Sequence, residues 1–117
     1  MIDIDTYCDE RGIEQIDFVK MDIEGHELMA LKGCAGLLER GHIRALSFEF
    51  GGCNIDSRTY FQDFWYLLRG VNFRLYRVLP DSSLLRIKSY TEQLEVFTTT
   101  NYFAVHESIS DRLRQTR

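Results

Sequence analysis

The segment from Ile16 to Glu27 restricts the fold more than any other part of the sequence. An apolar strand pattern ends there in acidic residues and a glycine, and a helical pattern follows. Side chains alternate across a strand, so Lys20, Asp22 and Glu24 share one face. Burying charged groups on one face costs free energy unless they form ion pairs or take part in binding or catalysis. Since ligands of open α/β sheets bind beyond the carboxyl ends of the strands, Asp22 and Glu24 are candidate site residues.

The remaining sequence predicts alternating strands and helices. Periodicity predicts a short helix or turn over 5–10, a helix over 26–40 and a helix before Gly70 that Ser57 caps. Gly33 and Gly36 weaken the helix over 26–40, which indicates close packing or a break. Strands are predicted over 16–23, 43–50, 73–79 and 101–105, with a hairpin or an insertion between 81 and 100. This order predicts an α/β fold with mostly parallel strands, crossover helices and a final antiparallel strand.

A second acidic residue lies at the end of the next predicted strand. Glu49 is followed by Phe50 and two glycines, which end the strand. Two strand ends that converge form a pocket, so Glu49 is a further candidate. The alternative interpretation is that Glu49 forms an ion pair with Arg44 or with an arginine from a loop.

Structural roles also fit the first acidic cluster. Glu24 or Glu27 would cap the helix that follows, and Asp22 would pair with Lys20 or an arginine. His26 has the chemistry of a base or a metal ligand. A lone histidine at a helix start usually serves as neither, so no metal site is predicted.

Composition limits the class of protein and its partners. The chain has 117 residues, enough for one domain, and its net charge of −4 provides no basic surface for nucleic acid or an anionic membrane. The three cysteines lack any C-x-x-C pair, which favours reduced thiols and a cytoplasmic location. Cys34 is predicted in the core and Cys53 near a pocket. No signal peptide or membrane span is predicted.

The stretch from Asp17 to Gly33 resembles the signature of the FkbM family of methyltransferases. That signature reads aspartate, two apolar residues, lysine, an apolar residue, aspartate, an apolar residue, glutamate, glycine, any residue and glutamate, then a helix ending in lysine and glycine. The resemblance continues in the segments 4–7, 47–50 and 101–104. It implies a Rossmann-like domain that uses S-adenosylmethionine and mostly methylates hydroxyl oxygens of sugars or other small molecules.

One feature of such enzymes is missing. They hold the cofactor on a glycine-rich turn after the first strand, whereas Gly12 is the single glycine before Asp22. Residues 1–117 are therefore expected to form a partial domain, the carboxyl-terminal half, whose full activity requires the other half. Its strands would be the fourth to seventh, with the seventh between the fifth and the sixth. The first strand here would then be an exposed edge that favours self-association.

The resemblance implies that Asp22, Glu24 and Glu49 line the catalytic end of the sheet. Asp22 would contact cofactor or substrate, and one carboxylate would accept the proton of the methylated hydroxyl; the resemblance does not assign this base. The alternative, from another class of function, is a non-catalytic module that pairs its exposed strand with a second copy of itself or with a partner. An acid/base hydrolase using Asp22 and Glu24 ranks last.

Overall fold

The computed structural model describes residues 4–21 and 25–110, in which helices and strands alternate. The helices are α1 (Ile4–Arg11), α2 (Glu27–Lys32), α3 (Ala35–Glu39), α4 (Cys53–Ser57), α5 (Phe61–Gly70) and α6 (Glu107–Ser110), with one 3-10 turn at Glu92–Leu94. The strands are β1 (Ile16–Met21), β2 (Ile43–Phe50), β3 (Phe73–Val78), β4 (Leu84–Ile87) and β5 (Thr100–His106). No helix in these ranges is both long and apolar enough to cross a bilayer.

The five strands form one open sheet in the order β1-β2-β5-β3-β4. The prediction of an α/β fold is confirmed, and so is the placement of the last strand between the strands predicted over 43–50 and 73–79, which are β2 and β3. The prediction of mostly parallel pairing is wrong, because only β1 and β2 pair in parallel. The reason is the position of β5, which pairs antiparallel with both β2 and β3 and so separates two strands that run in the same direction. The hairpin of β3 and β4 adds a further antiparallel pair.

One face of the sheet is covered by helices and holds the main core. Alternation along β2 points Leu46, Phe48 and Phe50 into this core. The ring of Phe48 stacks on Phe64 of α5, with centroids 4.7 Å apart and planes 7° apart. On the opposite face, Ala45 belongs to a smaller cluster that α6 partly covers. The sheet and α5 therefore share one aromatic core.

The helix predicted over 26–40 is two helices, α2 and α3, with the break at Gly33 and Cys34. The start of α3 is explained by a residue that is distant in the sequence. The Asp5 carboxylate accepts hydrogen bonds from the backbone N–H groups of Gly36 (2.8 Å) and Leu37 (3.1 Å). It thereby satisfies two donors at the beginning of α3, where a helix has no internal acceptors. The break that the glycines indicated is confirmed.

Ser57 does not cap α5; it ends the short helix α4 instead. The first N–H groups of α5 are bound by Glu95, whose carboxylate oxygens accept from Phe61 (2.7 Å) and Gln62 (2.9 Å). A carboxylate at this position also complements the helix dipole. The Tyr90 hydroxyl donates to the same carboxylate, and this hydrogen bond raises the pKa of Tyr90 to about 12. Glu95 thus fixes the irregular connection before β5 to the start of α5.

Candidate functional site

The carboxyl ends of β1 and β2 lie side by side, because these two strands are parallel and adjacent. Of the predicted site residues, Asp22 and Glu24 lie outside the described part of the chain. Glu49 is the penultimate residue of β2, half-buried, with Asn101 of β5 as its register partner. Glu49 therefore occupies the predicted edge of the sheet.

Among the described residues, Glu49 does not form the ion pair that was its alternative role. Arg44 lies near Asp17 instead, with 3.7 Å between Nε and Oδ1, and both side chains are largely exposed. An exposed pair of this kind contributes under about 1 kcal/mol to stability. Within residues 4–21 and 25–110, Glu49 has no ion pair or side-chain hydrogen bond.

The loop after β2 is held by a buried asparagine. The Gly51 N–H donates to the Asn54 Oδ1 at 2.9 Å, and Asn54 Nδ2 donates to the Thr59 hydroxyl at 2.7 Å. Asn54 is only 1% exposed, so these bonds satisfy polar atoms that water does not reach. A Cβ at Gly51 would lie 2.5 Å from the Thr99 Cα, so this loop also packs tightly on the segment before β5.

Gly25, which lies just before α2, is held by Glu27. Its carboxylate accepts the Gly25 N–H at 2.9 Å, and its side chain is 1% exposed. It does not cap α2 as an N-cap residue: that position is His26, whose side chain makes no cap bond. Gly25 has φ of +98°, and a Cβ there would lie 2.7 Å from the Cys53 carbonyl oxygen. The position needs glycine for both its conformation and its space.

These two loops and the segment before β5 surround a small cleft. Its lining residues lie at the start of α2, at the end of β2, in the segment that leads into α4 and just before β5: Gly25, Glu27, Glu49, Gly51, Cys53, Asn54 and Thr99. The cavity volume is about 10 Å³, room for about one water molecule. The prediction that Cys53 lies near a pocket is confirmed, and Glu27 and Glu49 both border this cleft.

A larger cavity lies elsewhere in the described part of the chain. It measures about 530 Å³ and lies between α1 and α3, lined in part by Asp9, Glu14, Arg40 and His42. Glu14 and His42 precede β1 and β2, so this cavity is at the amino ends of the strands. That is the opposite edge of the sheet from Glu49. Among the described residues, no three His, Cys, Asp or Glu side chains are grouped to hold a metal ion.

The sequence patterns did not identify the anchoring roles of Glu27 and Asn54. Glu27 belongs to the acidic cluster, for which capping of a helix by Glu24 or Glu27 is the alternative interpretation. Asn54 follows two glycines after a strand, which is a signal for a turn but not for burial. Their burial depends on loops that come together only in the folded chain.

The cysteines allow a direct test of this geometry. Cys53 is exposed, whereas Cys8 and Cys34 are buried. Burial, with a smaller contribution from Asp5, raises the pKa of Cys34 to about 12, so its thiolate form is scarce at pH 8. We expect one thiol per native chain to react rapidly with an aromatic disulfide reagent at pH 8, and three after unfolding. Rapid reaction of Cys34 or Cys8, identified by peptide mass, would contradict the core described above.

Comparison with known proteins identifies a family for this chain. The model of the methyltransferase FkbM domain matches residues 1–75, which include α1 to α5 and the first part of β3. No curated protein and no solved structure matches the chain. The matched segment is more than half of the 117 residues and contains Asp22, Glu24 and Glu49. The chain belongs to the methyltransferase FkbM domain family.

Proposed function

We propose that this chain provides the acceptor side of a site that transfers a methyl group from S-adenosylmethionine to a hydroxyl of a sugar or another small molecule. Asp22, Glu24 and Glu49 are the proposed catalytic residues, and Asp22 is also the proposed contact to the cofactor. Membership of the family supports methyl transfer. The free thiols of the three cysteines support a reducing, cytoplasmic location.

The observation that carries this proposal is the meeting of two strand ends at Glu49. Gly25 and Glu27, which follow β1, border the same cleft as the half-buried Glu49. This position supports the proposal, because α/β sheets bind ligands beyond the carboxyl ends of their parallel strands. A carboxylate there can accept the proton of a hydroxyl as its oxygen attacks. The chain's own contribution is to orient that hydroxyl and remove its proton.

The described residues do not form a complete cofactor site. A cleft of about 10 Å³ is far smaller than the roughly 300–1,000 Å³ of ordinary ligand sites. Residues 4–21 contain one helix and one strand, and no glycine-rich turn follows a strand within them. The proposal therefore assigns the reacting hydroxyl and its proton to this edge, and gives the cofactor a contact at Asp22, which lies outside the described residues.

Calorimetric titration with S-adenosylhomocysteine tests this function. We expect the folded chain to bind it and Asp22→Asn to weaken binding about tenfold, because a charged hydrogen-bond acceptor is lost. Asp17→Asn is the matched control, since Asp17 is an exposed aspartate near the start of β1, and it should leave binding unchanged. In a transfer assay Glu49→Gln should lower the rate about 10²-fold. Absence of binding by a chain that circular dichroism shows to be folded would contradict the proposal.

A strand-pairing module is the second candidate, and one observation favours it. β1 is the end strand of the sheet, and Phe18 on it is 49% exposed. An apolar edge of this kind readily pairs with another strand. We expect sedimentation velocity to show reversible dimerisation at high concentration, and Phe18→Lys to weaken it about tenfold or more. Tyr66→Lys, at an exposed aromatic residue on α5, is the control; a chain that stays monomeric at several hundred micromolar would exclude this candidate.

A further inference from the structure

Buried polar side chains are concentrated at one place in this protein. Within the described ranges, the polar or charged side chains that are buried are Glu27 and Asn54, each 1% exposed. Both lie at the carboxyl edge and border the same cleft. Burying such groups costs free energy even when they are hydrogen-bonded. Their position at the proposed site, and not in the main core, indicates a role there.

Each of the two side chains holds a glycine backbone. Glu27 accepts the Gly25 N–H and Asn54 accepts the Gly51 N–H, both at 2.9 Å. Each glycine in turn contacts a neighbouring loop so closely that a methyl group would collide with backbone atoms. Gly25 lies against Cys53, and Gly51 lies against Thr99. Two anchored glycines thus join three segments. Gly25 connects the start of α2 to the loop after β2, and Gly51 connects that loop to the segment before β5.

We propose that Glu27 and Asn54 are positioning residues that lock these loops into one unit, which we name the carboxyl-edge clasp (Gly25, Glu27, Gly51, Asn54 and Thr99). The clasp fixes the backbone on both sides of the cleft and therefore the place of Glu49 within it. Its effect on methyl transfer rests on the proposed function. Glu27 itself is not a catalytic residue, since a carboxylate that is 1% exposed does not reach a substrate.

The clasp makes a specific prediction about variants of Glu27. Glu27→Gln keeps an oxygen that accepts the Gly25 N–H, whereas Glu27→Asp keeps the charge but is one methylene shorter. If the role is positioning, the glutamine variant preserves the clasp and the aspartate variant loosens it. A role that depends on the negative charge gives the opposite order. Glu27→Ala removes the acceptor altogether.

Amide hydrogen exchange by NMR decides between these outcomes on the intact chain, whose eight glycines give few amide signals to assign. We expect Glu27→Ala and Glu27→Asp to accelerate exchange at both Gly25 and Gly51 about tenfold or more, and Glu27→Gln to stay within about threefold of the native chain. Asn54→Ala should likewise affect Gly25 as well as Gly51. Asp5→Ala is the matched control, because Asp5 anchors α3 at the opposite edge and its loss should leave the ratio of the two exchange rates unchanged.

Two results would overturn the proposal. If Glu27→Ala changes Gly25 but not Gly51, the loops are independent; if Glu27→Gln behaves like Glu27→Ala, the charge and not the position matters. Should Glu27→Ala fail to fold, the pair Glu27→Gln and Glu27→Asp gives the same decision. In a transfer assay Glu27→Asp should lower kcat about 10- to 100-fold with KM changed less than about threefold, because the base is misplaced. Failure of the native chain to bind S-adenosylhomocysteine would contradict the proposed function alone, since the exchange ratios need no cofactor.

Discussion

Replacing Phe64 with alanine is expected to lower the free energy of unfolding by about 3–5 kcal/mol, the range measured for large aromatic residues in protein cores. Phe64 is fully buried on α5, and its ring stacks on Phe48 and meets Phe50 edge-on at 6.0 Å. Its removal leaves a cavity between the helix and the sheet that neighbouring rings cannot fill. A loss of this size is a large part of the roughly 5–15 kcal/mol that stabilises a typical domain.

Urea unfolding followed by circular dichroism measures this loss. Tyr66→Ala is the control on the same helix, because Tyr66 is 62% exposed and its ring lies 5.9 Å from that of Tyr90. It should cost less than about 1 kcal/mol. Equal midpoints for the two variants would show that α5 does not pack on the sheet as described.

Gly51→Ala is expected to lower the free energy of unfolding by about 3 kcal/mol, at the upper end of the range for an added methyl group in a packed interior. The new Cβ would lie 2.5 Å from the Thr99 Cα and 2.7 Å from the Thr99 nitrogen. Both atoms belong to the backbone, so no side-chain rotation relieves the collision. The segment before β5 must move away from the end of β2.

Gly70→Ala is the matched control for this substitution. Gly70 is the last residue of α5, and nothing lies within 4 Å of a Cβ placed there. Alanine there should be neutral or stabilise the protein by up to about 1 kcal/mol, because it lowers the conformational entropy of the unfolded chain. Thermal unfolding of both variants makes the comparison, and a Gly51→Ala protein as stable as Gly70→Ala would contradict the close contact.

The elements that depend on local pattern were predicted from the sequence, and those that depend on distant contacts were not. β2 has the predicted bounds because Ile43–Phe50 is continuously β-prone and ends at two glycines. The start of α5 was assigned to Ser57, whereas the carboxylate that binds its N–H groups comes from Glu95, up to 34 residues away. The start of α3 depends in the same way on Asp5, 31 residues before Gly36. Spacing along the chain carries no information about such partners.

The same limit applies to the site. Glu49 was predicted at the carboxyl edge because a strand end can be located from the glycines that follow it. Glu27 and Asn54 were not identified as anchors, since their burial results from the contact between loops that follow different strands. The roles of Asp22 and Glu24 stay predictions, because those residues lie outside the described ranges.

The place of β5 in the sheet also determines the order in which this protein can be assembled as it is synthesised. β1 pairs with β2, and β3 pairs with β4, but the two pairs are joined only through β5. A nascent chain that has reached residue 99 therefore holds two separate strand pairs that do not yet form a common sheet. Cooperative folding must wait until Thr100–His106 has left the ribosome. Until then the facing edges of β2 and β3 are unpaired, so this is the stage at which the chain is most exposed to aggregation.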